Sequence, residues 1–184
     1  MSAPLNGGAS TVLASSQKFP AAIAADGTTV YWADSGNFNS DGTVMAVSKD
    51  GGTPTVLASA QDAPWAVAVD DTSVYWVNLG TFTAPLLPSS TLVPPPSTAS
   101  NYDGSVVKMP KGGGPVTTLV SGIRIPGALL ASVGLCVTAI ATDSTSVYWT
   151  DFGSEGAVSR VMKVPKEGGA PVTLVAVPVP PGAR

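Results

Sequence analysis

Val147-Tyr148-Trp149-Thr150-Asp151 repeats, with small changes, two phrases met earlier in the chain: Val30-Tyr31-Trp32-Ala33-Asp34 and Val74-Tyr75-Trp76-Val77-Asn78. Working outward from each copy gives the same surroundings. On the N-terminal side stands a short acidic turn, at Asp26-Gly27-Thr28, Asp70-Asp71-Thr72 and Asp143-Ser144-Thr145. On the C-terminal side stand Lys49, Lys111 and Lys166, each leading into a glycine turn. A phrase recurring with its neighbours at a period of 40-odd residues marks a solenoid or a propeller.

Two anchors fix the register. Trp32 and Lys49 are 17 residues apart, as are Trp149 and Lys166, whereas Trp76 and Lys111 are separated by 35. The middle copy therefore carries an insertion of 18 residues between those anchors. The step from Lys49 to Trp76 is 27 residues and that from Lys111 to Trp149 is 38, an excess of 11. Two insertions, within 79–103 and near 121–137, account for the irregularity.

Each unit reads as four strands. The first is apolar and ends at an acid, at 21–26, 65–70 and 137–143. Aspartate suits the turn that follows, because its side chain accepts from backbone amides two residues on. The second strand carries the Val-Tyr-Trp phrase, whose β-branched and aromatic residues fit a pleated, buried surface. The third runs at 42–49, 104–111 and 159–166, and the fourth at 53–59, 114–120 and 170–177. A similar fourth strand, without its own unit, is expected at about 7–15. The sequence thus predicts an all-β chain: a partial or half propeller of three four-stranded antiparallel blades plus one extra N-terminal strand. It is read as one domain over 1–184, with blades at about 20–59, 64–120 and 121–177.

Composition narrows function mainly by exclusion. Charged residues make up 11% of the 184, and the net charge is −3, with no basic run to neutralise phosphates; nucleic acid is not an expected partner. No histidine is present, which excludes histidine-based triads and histidine-ligated metal within this sequence. Cys136 is the single cysteine, so no disulfide framework forms within it. Its apolar setting reads as a small buried hydrophobe. No contiguous ligand loop of the calcium-binding kind occurs, and no cofactor is expected. No run of about 18 apolar residues occurs, so no membrane-spanning helix is expected. Residues 1–19 lack the basic start and apolar core of a secretory signal. The compartment stays open, an extracellular or periplasmic one included.

The phrases at 30–34, 74–78 and 147–151 resemble the YWTD motif of six-bladed β-propellers related to the low-density-lipoprotein receptor. The stretch from Val161 to Leu174 is also similar to repeats of bacterial propeller-type proteins of unassigned function. The resemblance covers nearly the whole chain apart from the insertions. It implies the fold, and it implies that the motif's acidic position, here Asp34, Asn78 and Asp151, holds blade geometry through hydrogen bonds. The family has six blades where three are read here. A fragment of a longer propeller, or a half that pairs with a second copy into a six-bladed ring, is therefore expected.

Propellers host unrelated activities, so function is read from the site. Strands alternate in direction, which brings the second-to-third loop and the connector between blades to one face. Both insertions fall there, and loops on a rigid scaffold commonly carry binding residues. The candidate surface comprises Phe82, Leu86, Leu87 and Tyr102 from the first insertion and Ile125 from the second, with Leu92, Ile123, Leu129 and Leu130 beside them. Asp34, Asn78 and Asp151 end the second strands on this face and are the candidate polar positions. The leading reading is a non-catalytic binding or scaffold module for a protein, peptide or glycan. The alternatives are a propeller-type enzyme, lyase or glycoside-active, with catalytic residues partly in further blades, and an incomplete fragment without activity of its own. Paired carboxylates such as Asp34 and Asp151 are what glycoside chemistry would use.

Overall fold

The computed structural model describes residues 1–37, 39–80, 101–126, 139–151 and 158–178. Among them the chain forms three four-stranded antiparallel sheets, each a meander in sequence order. Blade 1 comprises β1 (Pro20–Ala25), β2 (Thr29–Asp34), β3 (Gly42–Ser48) and β4 (Thr55–Gln61). Blade 2 comprises β5 (Pro64–Val69), β6 (Ser73–Asn78), β7 (Asn101–Pro110) and β8 (Thr117–Pro126). Blade 3 comprises β9 (Ile140–Thr142), β10 (Ser146–Asp151), β11 (Val158–Pro165) and β12 (Val172–Pro178). The first strands line up side by side, β5 lying against β1 on one side and β9 on the other. That is the radial arrangement of a propeller, with the first strand of each blade innermost.

The core lies in the seams between blades. In the first seam Tyr31, Val44 and Ala58 of blade 1 meet Val67, Trp76 and Val107 of blade 2. In the second, Tyr75, Val106 and Leu119 of blade 2 meet Val147, Trp149 and Met162 of blade 3. Tyrosine and tryptophan are adjacent in the motif, so strand alternation turns them to opposite faces. Tyr31 and Tyr75 therefore face the following blade, and Trp76 and Trp149 the preceding one. Trp76 and Tyr75 are among the most deeply buried large side chains. Truncating a buried aromatic of this kind costs about 3–5 kcal/mol.

Two expectations change. Residues 7–15 do not form a further strand; one bridge, Ser2 to Thr11, is formed there. The physical reason is that no third strand lies alongside to extend the ladder. The backbone just after the segment nevertheless repeats that after β4. Ser16 and Phe19 take positive φ (58° and 59°), as Ala60 and Ala63 do 44 residues later (both 53°). Second, β7 and β8 run to ten residues each. They claim residues 101–103 and 121–126, which the sequence assigned to insertions.

Candidate functional site

The extended hairpin of blade 2 sets the geometry of the insertion-bearing end. β7 and β8 pair out to Asn101↔Pro126, with Tyr102↔Ile125 and Asp103↔Arg124 next along. Asn101 directly follows residues 81–100, and Pro126 directly precedes residues 127–138. Both insertions thus join the scaffold at a single strand pair. The outgoing strand is pinned there too. The Gly80 amide donates to the Asp62 carbonyl (3.0 Å). A Cβ at Gly80 would meet the Asp103 backbone at 2.7 Å, so the close crossing requires glycine.

Of the sequence-derived candidates, Phe82, Leu86 and Leu87 lie outside the described residues, as do Leu92, Leu129, Leu130 and Cys136. Tyr102 and Ile125 are brought side by side along the backbone. Ile123, expected on the same surface, is instead buried in the seam with blade 3. Position explains this: Ile123 pairs with Gly104, inside the last pairs of the open end, and belongs to the buried cluster that holds Trp149.

Asp34, Asn78 and Asp151 occupy equivalent strand ends, opposite Thr43, Ser105 and Arg160 respectively. All three are buried, but their partners differ. Asp151 receives two bonds from the Arg160 guanidinium, at 2.7 and 3.0 Å. Asn78 donates its amide to Gln61 (3.2 Å), while its Oδ1 is left without a partner. Asp34 Oδ1 is likewise unpartnered. Burial pushes the Asp34 carboxyl above its ordinary range, against the Lys18 amide and the Trp32 indole.

The opposite end of the blades is uniform. Asp26 accepts from the amides of Thr28 and Thr29 (both 2.9 Å) and from the Tyr31 hydroxyl (3.0 Å). Asp70 repeats the set with Thr72, Ser73 and Tyr75, and Asp143 with Thr145, Ser146 and Tyr148. A lysine of the following blade then closes each inner seam: Lys111 Nζ reaches Asp26 at 2.6 Å, and Lys166 Nζ reaches Asp70. Each ammonium also lies over the preceding blade's tyrosine ring, at 5.7 and 5.5 Å. The Lys111 bond, with the Thr28 amide, holds Asp26 well below the usual carboxylate range. At Asp70 burial opposes ionisation, but the Lys166 bond and the turn amides outweigh it and the carboxyl is again lowered. Burial, then the bond to Asp70, pushes Tyr75 up to about 12.

These seam pairs were not read from the sequence. The signal was present: every copy has an acid closing its first strand, a tyrosine five residues on and a lysine closing its third strand. A polar groove of about 590 Å³ lies at this end between blades 2 and 3, lined by Asp70, Lys108, Asp143, Lys166 and Glu167 among others. An apolar cavity of about 320 Å³ lies against blade 1, between Leu13 and Gln17 on one side and Ile23, Val30 and Trp32 on the other. Among the described residues, no group of three or more acidic or cysteine side chains is placed to hold a metal.

Sheets of this form, arranged radially with aromatic seams, define a β-propeller-like fold. Among solved structures the chain is similar to one in the nidogen/laminin complex, with a TM-score of 0.56 and 17% identity, over 89% of this chain and 51% of that one. The structure of a putative TolB from Agrobacterium tumefaciens is matched with a TM-score of 0.49 and 13% identity, over 86% of this chain and 49% of that one. The chain thus spans about half the length of these two structures, and at 17% identity the likeness to the first is one of fold. No protein-family model and no curated protein sequence matches the chain.

Proposed function

We propose that the chain is a non-catalytic binding module of a YWTD-type propeller, and that its contact surface is the end of the blades bearing the two insertions. The observation that carries this reading is the Asn101↔Pro126 pair, which roots both insertions at one point of a rigid hairpin. A ligand reaching one insertion root is within reach of the other. Tyr102 and Ile125 stand at that root, and the surface suits a protein, peptide or glycan, in which apolar and polar contacts mix. The enzymatic alternative finds less support. Asp151 is tied to Arg160, Asn78 has no acid to offer and Asp34 is buried, so the three positions do not present a pair of free carboxylates.

The test is to replace residues 81–100 by a short Gly-Ser link and to probe both proteins on the same peptide and glycan arrays. Wild-type binders lost by the shortened variant, with its thermal unfolding retained, are the expected result. Binders kept by the shortened variant would move the site elsewhere. Turnover of a glycoside by wild type, abolished by Asp34→Asn, would replace the reading with the enzymatic one.

A further inference from the structure

The two inner seams are built from one contact set, and its two halves stand separately on the outer faces of blades 1 and 3. Blade 3 presents the acidic half. Asp143 holds the amides of Thr145 and Ser146 and the hydroxyl of Tyr148, as Asp26 and Asp70 hold theirs, and no lysine reaches it among the described residues. Blade 1 presents the basic half. The Lys49 amide donates to the Thr28 carbonyl, as the Lys111 and Lys166 amides donate to Thr72 and Thr145. Lys49 is exposed, at the turn position from which the other two lysines reach back a blade.

The apolar parts of the two faces correspond as well. Ile23 pairs with Trp32 as the seam residue Val67 pairs with Trp76, yet Ile23 is 67% exposed. Val175 pairs with Val161 as the buried Ala58 pairs with Val44, yet Val175 is 51% exposed. Lys163 stands where Lys108 stands in blade 2, opposite the motif tyrosine, and Lys108 Nζ donates to the Lys166 carbonyl across the seam (2.5 Å).

We propose that blade 3 of one copy docks on blade 1 of a second copy, the Lys49 ammonium of each reaching Asp143 of the other, so that two copies close one six-bladed ring. Opposite charge and matching register positions on two faces of the same chain favour a second copy as the occupant. Residues 1–17 now hold the place of the incoming outer strand, and they are lightly held. Gln17 accepts from the Trp32 indole (2.8 Å) as Gln61 accepts from Trp76, and the remainder is mostly exposed. β12, by contrast, is paired with β11 along its length. Residues 1–17 are therefore the part displaced on docking. This inference rests on the propeller reading but not on the insertion-bearing end.

Sedimentation velocity on the full chain tests it, using wild type, Lys49→Glu, Asp143→Lys and an equimolar mixture of the two variants. The mass of two copies is expected for wild type and for the mixture, and the mass of one copy for each variant alone. In the mixture the two substituted side chains meet at one contact, as an ion pair of reversed polarity, and Lys49 meets Asp143 at the other. Recovery of pairing therefore shows that both variants are folded. A wild type that stays at one copy at every concentration, larger open chains, variants that remain paired, or a mixture that fails to recover would each overturn the proposal. Gln17→Ala loosens the displaced segment only in the single copy. It is expected to tighten pairing by roughly tenfold to a hundredfold, since one indole bond is given up in each of the two copies; weaker pairing would overturn the role given to residues 1–17. The variant lacking residues 81–100 should still pair, so loss of ligand and loss of pairing are read separately.

Discussion

The two ends of the blades differ in how strictly they repeat. At the turn end, Asp26, Asp70 and Asp143 each hold the same two turn amides and the same tyrosine hydroxyl, and a lysine of the next blade completes both inner seams. At the other end, the equivalent positions hold Asp34, Asn78 and Asp151 with three different sets of partners. Both insertions also emerge at that end. A residue set repeated without change is what a geometric joint needs, since every seam must meet at the same angle. At the other end the blades are joined by contacts that differ from seam to seam, Ser35 with Pro64 and Gln61 with Trp76 and Asn78 in the first seam and the apolar Ile123 in the second, and that is the end where the two insertions join.

The sharpest way to break the comparison is at the uniform end. Asp70→Ala removes the acceptor shared by Lys166, two amides and the Tyr75 hydroxyl. A loss of about 3 kcal/mol is expected in urea unfolding, because a partly buried ammonium and a buried hydroxyl lose their partner together. A loss under about 0.5 kcal/mol would show that the seam stands on apolar contacts alone.

Gln61→Leu is the next largest. It leaves Trp76 Nε1 and the Asn78 amide without an acceptor, and about 2 kcal/mol is expected by the same measurement. Nature supplies a comparison in the following seam. There Ile123 occupies the position of Gln61, and Trp149 Nε1 has no partner. A cost near zero at Gln61 would make the two seams equivalent in energy despite this difference.

Acid sensitivity gives a third test. Asp26 and Asp70 bind protons less readily folded than unfolded, both being lowered from 3.8. Their contribution is complete above that value and is lost as the pH falls below it. Stability should therefore decline below about pH 4 in wild type and decline less steeply in Asp70→Asn. Tyr75, raised to about 12, adds a contribution that is present at neutral pH and lost as the pH rises past 10. An Asp70→Asn variant with an unchanged acid limb would place the sensitivity elsewhere.

The smallest effect belongs to the variable end. The Asp34 carboxyl is raised by burial, so at neutral pH its charge opposes folding. Asp34→Asn copies what blade 2 already carries as Asn78, and a gain within about 1 kcal/mol is expected in thermal unfolding. A large loss would mean that this end, too, is held by charge.

Much of the fold was legible because its determinants are local and repeated. The acid–Tyr-Trp–Lys-Gly order marked the four strands of each blade, and the unequal spacing of Trp and Lys marked the middle blade as the irregular one. Residues 7–15 misled because Gly7-Gly8 and Thr11-Val12-Leu13-Ala14 match β4 and its turn residue for residue, while a strand also needs a neighbour that sequence identity does not supply. The lengths of β7 and β8 were hidden because residues 101–103 and 121–126 carry no periodicity that separates strand from insertion. The seam ion pairs were missed for a different reason. Asp26 and Lys111 are far apart in sequence, and their contact follows only once the blades are placed side by side. Among the candidate residues, Asp34, Asn78 and Asp151 were legible as strand ends, whereas the burial of Ile123 depended on where the hairpin meets the next blade.

The most direct test of the seam as the joint between blades is a double-mutant cycle at Asp70 and Lys166, using Asp70→Asn, Lys166→Met and the pair, read by urea unfolding. A coupling of about 1–2 kcal/mol is expected, favourable and weakened by salt, for a charge-assisted bond shielded by a tyrosine ring. A coupling indistinguishable from zero would contradict it, and would leave the repeated acid as a turn residue only.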